Sequence, residues 1–445
     1  MKRNINRRDA LKVMGLAGAS AVLAACGPKA TTEAPKAPEA TKVPEATKVP
    51  VVPVTLRYIQ HWHVEADTHF KAMDIVFKSW NEKNPDIQIQ LQDFSANDSM
   101  PKQQADCAAG DCPDIMHEAT PPKWDSGWLL DLTPYVTGAW KDRLIPASLE
   151  AVTSEDGKLF ALPMEYSPLL NLWNTEIIEG QLGLKVPTTW EEFIALGEAA
   201  KAKGIPLALP TTSLGHIGTD LVFSTPGAAE ALAKGQWDNE GTRKAATMIK
   251  EMWDKKLMPE GSIDLDWPTS LNQFQQKKYV MYADGAWTIG NNILINGEDK
   301  FGLAKNLAIT PSVKFPGGLG TVARIYSGGV GLAAALAKDQ NRLQAALKFM
   351  DYWTSTDTAY KWLETGASPL GVKLDKFPES QPLLAKYAGV KADLLYSGVS
   401  AGKVIFAHIW DFAGEIWTPI LTGKSVDEAM KLFSDKMDQY KKEIG

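Results

Sequence analysis

The sequence predicts an α/β fold, preceded by a leader and a tether that do not belong to it. Residues 54–60 alternate with the period of a strand, residues 68–84 place Phe70, Met73, Ile75, Val76, Phe77 and Trp80 at helical spacing, and residues 87–91 alternate again. Such strand–helix–strand units build parallel sheets, with ligand crevices at the carboxyl ends of the strands. The chain has 445 residues, 44% apolar and 22% charged, enough to bury a large core and ordinary for two or three domains' worth of globular sequence.

The first 53 residues are of another kind. Lys2, Arg3, Arg7, Arg8 and Lys12 precede an uncharged run over residues 13–25. As a helix that run reaches about 20 Å, short of a hydrocarbon core of about 30 Å, so residues 1–25 are expected to be a signal peptide rather than a membrane span. Asn6-Arg7-Arg8-Asp9-Ala10-Leu11-Lys12 resembles the twin-arginine export motif, without the usual Ser or Thr before the arginines or the usual Phe after the variable residue. Leu23-Ala24-Ala25-Cys26-Gly27 resembles a lipobox, which makes Cys26 the expected lipidation site. Residues 27–53 repeat Pro-Glu-Ala-Thr-Lys-Val-Pro and hold too few large apolar groups to fold, so they are expected to be a disordered tether.

Beyond the first strand, the loop 61–67 should open onto a crevice. A short strand is expected at 113–116 with its exit loop at 117–122, and an apolar strand at 169–173 after Phe160-Ala161-Leu162-Pro163. Residues 187–193 read as a helix start with a Thr cap and acidic residues in its first turn. Next come a strand at 207–210, a helix at 240–256, and a strand over 274–287 ending in Asp284-Gly285-Ala286-Trp287. A Gly-rich turn at 327–331 leads into a strand at 330–336 and a helix at 341–355. The last third is helical and closes with a well-formed helix start at 425–429.

Charge and motifs exclude some functions. With a net charge of -6 and no basic face beyond the leader, nucleic acid is not an expected partner. No Gly-x4-Gly-Lys-Ser/Thr pattern occurs, and no nucleophile-elbow serine is expected. Cys107 and Cys112, in an expected exposed loop, suit a small disulfide or free thiols; without a second cysteine pair, a metal site is not expected there. Fifteen Trp exceed the usual needs of a core, and Trp on a wet surface suits stacking on sugars or bases.

Seven landmarks in register resemble family 1 of the extracellular solute-binding proteins, the group that serves ABC importers. They are Pro113-Asp114-Ile115, residues 127–132, Leu162-Pro163 with Leu172-Trp173-Asn174, residues 187–193, Gly285-Ala286-Trp287, Ser327-Gly328-Gly329 and residues 421–429. Trp173, where Tyr is usual, and the cysteine pair depart from the pattern. The resemblance implies a two-lobed periplasmic-binding-protein fold (type II-like), each lobe a mainly parallel sheet flanked by helices. It implies a hinge crossed near Pro163, Ile309-Thr310-Pro311 and Ser355, with residues 54–163 and 309–355 in the N-terminal lobe and 164–308 and 356–445 in the C-terminal lobe. It further implies a solute, most readily a sugar, held by cleft closure for a membrane permease, with no cofactor, no resident metal and no catalysis, in a monomer outside the cytoplasmic membrane.

The same resemblance supplies site candidates. Trp410 falls where relatives carry a sugar-stacking Trp, with Asp411 beside it, and Trp287 follows the matching Gly285 near Asp284. His61, Trp62 and His63 leave the first strand, Glu118 leaves the third, and Glu165 and Tyr166 follow the first crossing. His216 and Asp220 fall in an expected second-lobe loop, and Gly328 and Gly329 would bring backbone amides near a ligand. Arg324 could clamp an anionic group. Core packing competes as an account of each aromatic, and a solvated surface charge as an account of each carboxylate. Two other functions stay open: an anchored glycoside hydrolase, which also wants Trp and paired carboxylates, and a sensor or adhesin on the same fold.

Overall fold

The computed structural model describes residues 53–63, 69–117, 121–208, 212–259, 263, 265–293, 299–326 and 328–444. The expected signal peptide, Cys26 and nearly all of the tether lie outside the described residues, as does Glu118. The strands in chain order are β1 (Val54–Gln60), β2 (Ile87–Asp93), β3 (Ile115–His117), β4 (Leu162–Pro163), β5 (Ser167–Pro168), β6 (Leu170–Asn174), β7 (Met281–Asp284), β8 (Leu307–Thr310), β9 (Val322–Tyr326), β10 (Gly329–Leu332) and β11 (Leu394–Tyr396).

The alternating and helical patterns at the start of the fold form as expected. β1 runs parallel to β2 and β3, and the helices Phe70–Lys83 and Ala96–Ala108 make the returns. The first helix buries Met73, Val76, Phe77 and Trp80 at the spacing that its sequence showed. β10 then enters antiparallel between β3 and β4, giving the order β2-β1-β3-β10-β4. Val330 pairs with His117 and Gly329 with Pro163, so the carboxyl ends of β1, β3 and β4 share one edge with the start of β10.

The expectation of mainly parallel sheets in both lobes is corrected for the other two sheets. In β7-β6-β8 both pairings are antiparallel, and in β11-β9-β5 one is parallel and one antiparallel. Local periodicity marks a strand but not its direction; β6 meets partners more than a hundred residues away, whose direction the long connections decide.

Burial divides the fold into two lobes. One core holds Leu56, Tyr58, Phe77, Leu162, Leu332, Trp353 and Trp362. The other lobe has two clusters, one around Trp173, Phe193, Ile249, Phe412 and Phe433, the other around Leu172, Phe274, Tyr282, Ile309 and Leu384. The chain passes between lobes where β4 gives way to β5, and there Met164 N and Glu165 N both donate to Gly328 O, at 2.7 and 3.2 Å. Beside this, Leu169 N donates to Arg324 O, Tyr166 N to Pro369 O and Gly371 N to Pro163 O. Near the expected crossing at Pro163, these bonds bring residues 163–169 against Arg324, Gly328, Pro369 and Gly371. β8 is held inside the second lobe by its ladder with β6, and Trp362 still packs in the first core.

Several local readings shift with packing. Residues 274–275 end a helix, Trp267–Gln275, whose Asp266 cap accepts from Thr269 N, so the expected strand over 274–287 shrinks to β7. Leu207 makes single backbone bonds with Leu257 and Met281 but joins no named strand, and the expected 330–336 strand stops at Leu332 before a 3₁₀ turn, Ala334–Lys338. Thr189 and Glu192 form the reciprocal cap expected at 187–193, and Ser425 and Glu428 form another. Cys107 and Cys112 are joined in a disulfide, with Cys107 buried at the end of its helix rather than in an exposed loop.

Candidate functional site

Trp410 is the largest aromatic left in the open, 50% exposed at the turn before the helix Phe412–Leu421. Three elements gather around it. β9 contributes Arg324 and Tyr326, which alternation places on one face; the segment after β7 contributes Trp287; the helix Thr212–Ser224 contributes His216. The Trp410 ring centroid is 5.4 Å from Tyr326, 6.3 Å from Trp287 and 6.1 Å from His216, and the Arg324 guanidinium carbon lies 4.2 Å from it. Trp287 and Tyr326 meet edge to face at 5.4 Å. An open indole with a cation behind it and rings at its sides is a platform for a ring-shaped ligand that has polar edges.

The segment that carries Trp287 is fixed from below. Asp284 is buried and accepts from Trp267 Nε1 at 2.7 Å, Thr288 Oγ1 at 2.5 Å and Gly285 N at 2.9 Å. Burial pushes its carboxyl up to about 6, against these bonds, which favour the anion. Trp287 also donates to Asp284, which therefore positions the indole directly, and protein donors already occupy its oxygens. A side chain at Gly285 would fall within 2.3 Å of the Trp287 ring, which is why glycine precedes it.

His216 and Asp220 lie one helical turn apart on Thr212–Ser224, not in the expected loop. Both are buried. Tyr396 Oη donates to Asp220 Oδ1 at 2.6 Å, yet burial raises the Asp220 carboxyl to about 8. Burial, reinforced by the charge of Arg324, holds the His216 imidazole well below its ordinary value. Asp411 is exposed, and its charge acts on His408 and Tyr440 rather than on this cluster.

At the crossing, Glu165 is buried and Tyr166 half-buried, its phenol pushed up by desolvation. A Cβ on Gly328 would stand 3.3 Å from Glu165 Cβ and 3.3 Å from Tyr326 Oη, so the glycine here admits close packing of neighbouring side chains, while Gly329 pairs with Pro163 in the sheet.

The first-lobe candidates separate. Trp62 is 2% exposed, its ring 4.3 Å from His117 and 4.8 Å from His69 in the first core, and is withdrawn as a solute contact. His63 is held by Asp93 at 2.9 Å and Asp74 at 2.7 Å and stacks on Phe70, so it ties the strand exit to the first helix instead of facing a solute. Desolvation opposes its charge, but the two carboxylates outweigh this and raise its pKa. His61 is half-buried, its ring 4.5 Å from that of His117. Among the described residues no group of three or more His, Cys, Asp or Glu is placed to hold a metal.

A second face of the cleft was not singled out from sequence. A cavity of about 490 Å³ opens between Trp124, Asp125 and Phe160 of the first lobe and Lys403 and Phe406 of the second. Lys403 Nζ reaches Asp125 Oδ1 at 3.0 Å across it, and Trp124 and Phe406 stand 5.6 Å apart. Phe406 lies four residues before Trp410 in the chain, on the short helix Lys403–Ala407 that the turn carrying Trp410 follows. Gly398-Val399-Ser400-Ala401-Gly402, contrary to expectation, does carry the Gly-x-Ser-x-Gly spacing. Ser400, however, is exposed on a 3₁₀ turn and donates to Ser397 O at 3.3 Å, so the geometry gives it no base.

Comparison with known proteins agrees with this architecture. An uncharacterized ABC transporter extracellular-binding protein of Pyrococcus horikoshii is 24% identical over 317 residues, covering 65% of this chain and 69% of the relative. A multiple sugar-binding protein of Streptococcus mutans is 24% identical over 352 residues, covering 74% and 79%. The solved structure of a chitin oligosaccharide binding protein superposes with a TM-score of 0.73 at 20% identity, covering 87% of this chain and 99% of its own. The family pattern of bacterial extracellular solute-binding proteins matches residues 67–360, about two thirds of the sequence, and the chain belongs to that family.

Proposed function

We propose that this protein captures a carbohydrate in the cleft between its lobes and delivers it to the membrane permease of an ABC importer. The observation that carries the reading is the half-exposed Trp410, walled by Trp287 and Tyr326 and backed by a buried guanidinium. A sugar offers C–H faces to such rings and hydroxyls to the polar groups around them. The names of the relatives, a multiple sugar-binding protein and a chitin oligosaccharide binding protein, support the same class. His61, Glu118, Glu165, Tyr166, His216, Gly328 and Gly329 remain contact candidates in this reading, alongside the two indoles.

Closure supplies the transport step. A solute touching both lobes favours the closed form by the difference in its affinity for the two forms, and a permease then distinguishes loaded from empty. The protein acts without turnover, since import requires the solute intact. Its N-terminus is lipidated at Cys26, after export directed by the twin-arginine-like leader, and residues 27–53 hold the fold off the outer face of the membrane.

Thermal melts of the chain from Val54 onward against sugars, polyols, sugar phosphates, amino acids and divalent metals test the binding reading, because a ligand of the folded state raises its melting temperature. A rise with a sugar that remains intact in the tube supports the carrier; loss of the sugar moves the case to a hydrolase, and a rise only with amino acids or metals removes the carbohydrate. The anchor is tested by fractionation: Cys26→Ser should leave the protein unlipidated, and retention of the lipid would refute the assignment.

A further inference from the structure

Two buried polar nitrogens beside Trp410 have no hydrogen-bond partner among the described residues. Arg324 is 4% exposed; its Nη1 donates to Ile409 O at 2.9 Å, while Nη2 is buried without a partner. His216 is 6% exposed, and its Nε2 is also buried without a partner. Both side chains flank the same half-exposed indole, and the charge of Arg324 acts on the His216 ring. Buried polar atoms are normally satisfied, and an unmade bond costs most when the group is charged.

Charge sharpens the argument. Among the described residues no carboxylate is bonded to Arg324: Asp220 accepts from Tyr396, and Asp284 from Trp267, Thr288, Gly285 and Trp287. With Asp220 raised to about 8, its carboxyl keeps its proton at neutral pH and does not cancel the guanidinium. Asp284, at about 6, is mostly ionised there, but its oxygens are bonded elsewhere and it reaches Arg324 only through its charge. His216 also sits in the early turns of a 13-residue helix, whose amino end adds positive potential. A neutral hydroxyl could accept from Nη2 but would leave the guanidinium without a bonded counter-charge, whereas an anion supplies both the acceptor and the charge.

Building on the carbohydrate reading, we propose that the solute is an anionic sugar, with a carboxylate or phosphate seated against Arg324 Nη2 and His216 Nε2 and its ring stacked on Trp410. Both anions use the same oxygen acceptors, and Arg presents its fork to either.

The test is titration calorimetry on the full-length protein with matched ligands: galactobiose against digalacturonate, galactose against galactose phosphate, and malonate or inorganic phosphate as anions without a sugar. The anionic sugars should bind at least tenfold more tightly than their neutral counterparts, and whichever series shows the gap identifies the carboxylate or the phosphate. Arg324→Gln should erase that gap and His216→Gln narrow it, and Arg324→Lys should restore part of it. The comparison of ligands on the unaltered protein decides the matter even where an Arg324 variant fails to fold. Neutral sugars binding as tightly as anionic ones would overturn the proposal while leaving the carbohydrate reading in place. Binding of malonate or phosphate with no response to any sugar would keep the anion and discard the carbohydrate.

Discussion

Replacing Trp410 by alanine separates a ligand platform from a core residue, because the structure sets the two consequences apart. Half of the ring is in water. Its buried half, about 100 Å² of a side chain that can bury about 200 Å², contributes at most about 2.5 kcal/mol at 25 cal/mol per Å². In a domain of this size that lowers the melting temperature by only a few degrees. The exposed half contributes nothing to folding, yet it is the face on which a sugar would stack. Stacking of this kind is worth about 1–3 kcal/mol, so the dissociation constant should rise roughly 5- to 150-fold. Trp410→Phe keeps an aromatic plane and should recover most of that loss. Titration calorimetry with the best ligand from the melt panel, together with a melting curve for each variant, reads both quantities. An unchanged dissociation constant in a folded Trp410→Ala protein would refute the placement of the site, and a large fall in melting temperature would show that the ring supports the core.

Other predictions concern closure and charge. Lys403→Ala removes an ion pair between lobes whose partners are 52% and 38% exposed, worth at most about 1 kcal/mol, so the ratio of closed to open forms should fall by no more than about fivefold. Small-angle scattering at low and high salt measures this; an unchanged profile at low salt would mean that the pair does not bias closure. His63 has a raised folded-state pKa, so its contribution to stability is complete below the ordinary value of 6.5 and disappears as pH rises through the folded value. The melting temperature of the native chain should therefore fall relative to His63→Gln as pH rises above 6.5 and through the raised folded-state value, and parallel curves would count against the His63 clamp. Asp220→Asn should be tolerated at pH 7, because a carboxyl with a pKa near 8 is already protonated there and Asn keeps an acceptor for Tyr396. Severe destabilisation of that variant would instead make Asp220 an ionised partner of Arg324.

What the sequence disclosed follows from the range over which each signal acts. β1, its first helix and the caps at Thr189 and Ser425 are local, set by spacing and neighbouring residues, and they stand where the pattern places them. The antiparallel run of β6 with β7 and β8 depends on pairings far along the chain, so no window of sequence contained it. The site divides in the same manner. Trp410 and Trp287 were reachable through the resemblance, whereas the burial of Trp62 and the clamp on His63 depend on which side of the strand exit faces the core. Tyr326 could have been found by alternation: it stands two residues from Arg324 on β9 and so shares its face. Trp124 and Phe406 lie about 280 residues apart and meet only because the lobes do.

The doubled bond at Gly328 has a mechanical meaning. Two successive amides, of Met164 and Glu165, rest on one carbonyl, and the next segment to cross is fastened alongside through Tyr166 and Gly371. Segments fastened to one another would not bend independently, so a relative turn of the lobes would share one axle. On such an axle a small torsional change near Gly328 is amplified by the lever arm to the rim of each lobe. A side chain at this position, pressed against Glu165 and Tyr326, would stiffen the pivot while leaving both lobes intact. Under the proposed reading, the gait of such a carrier would be set apart from its taste: residues around Trp410 could change with the solute, while the stroke offered to a permease stayed the same.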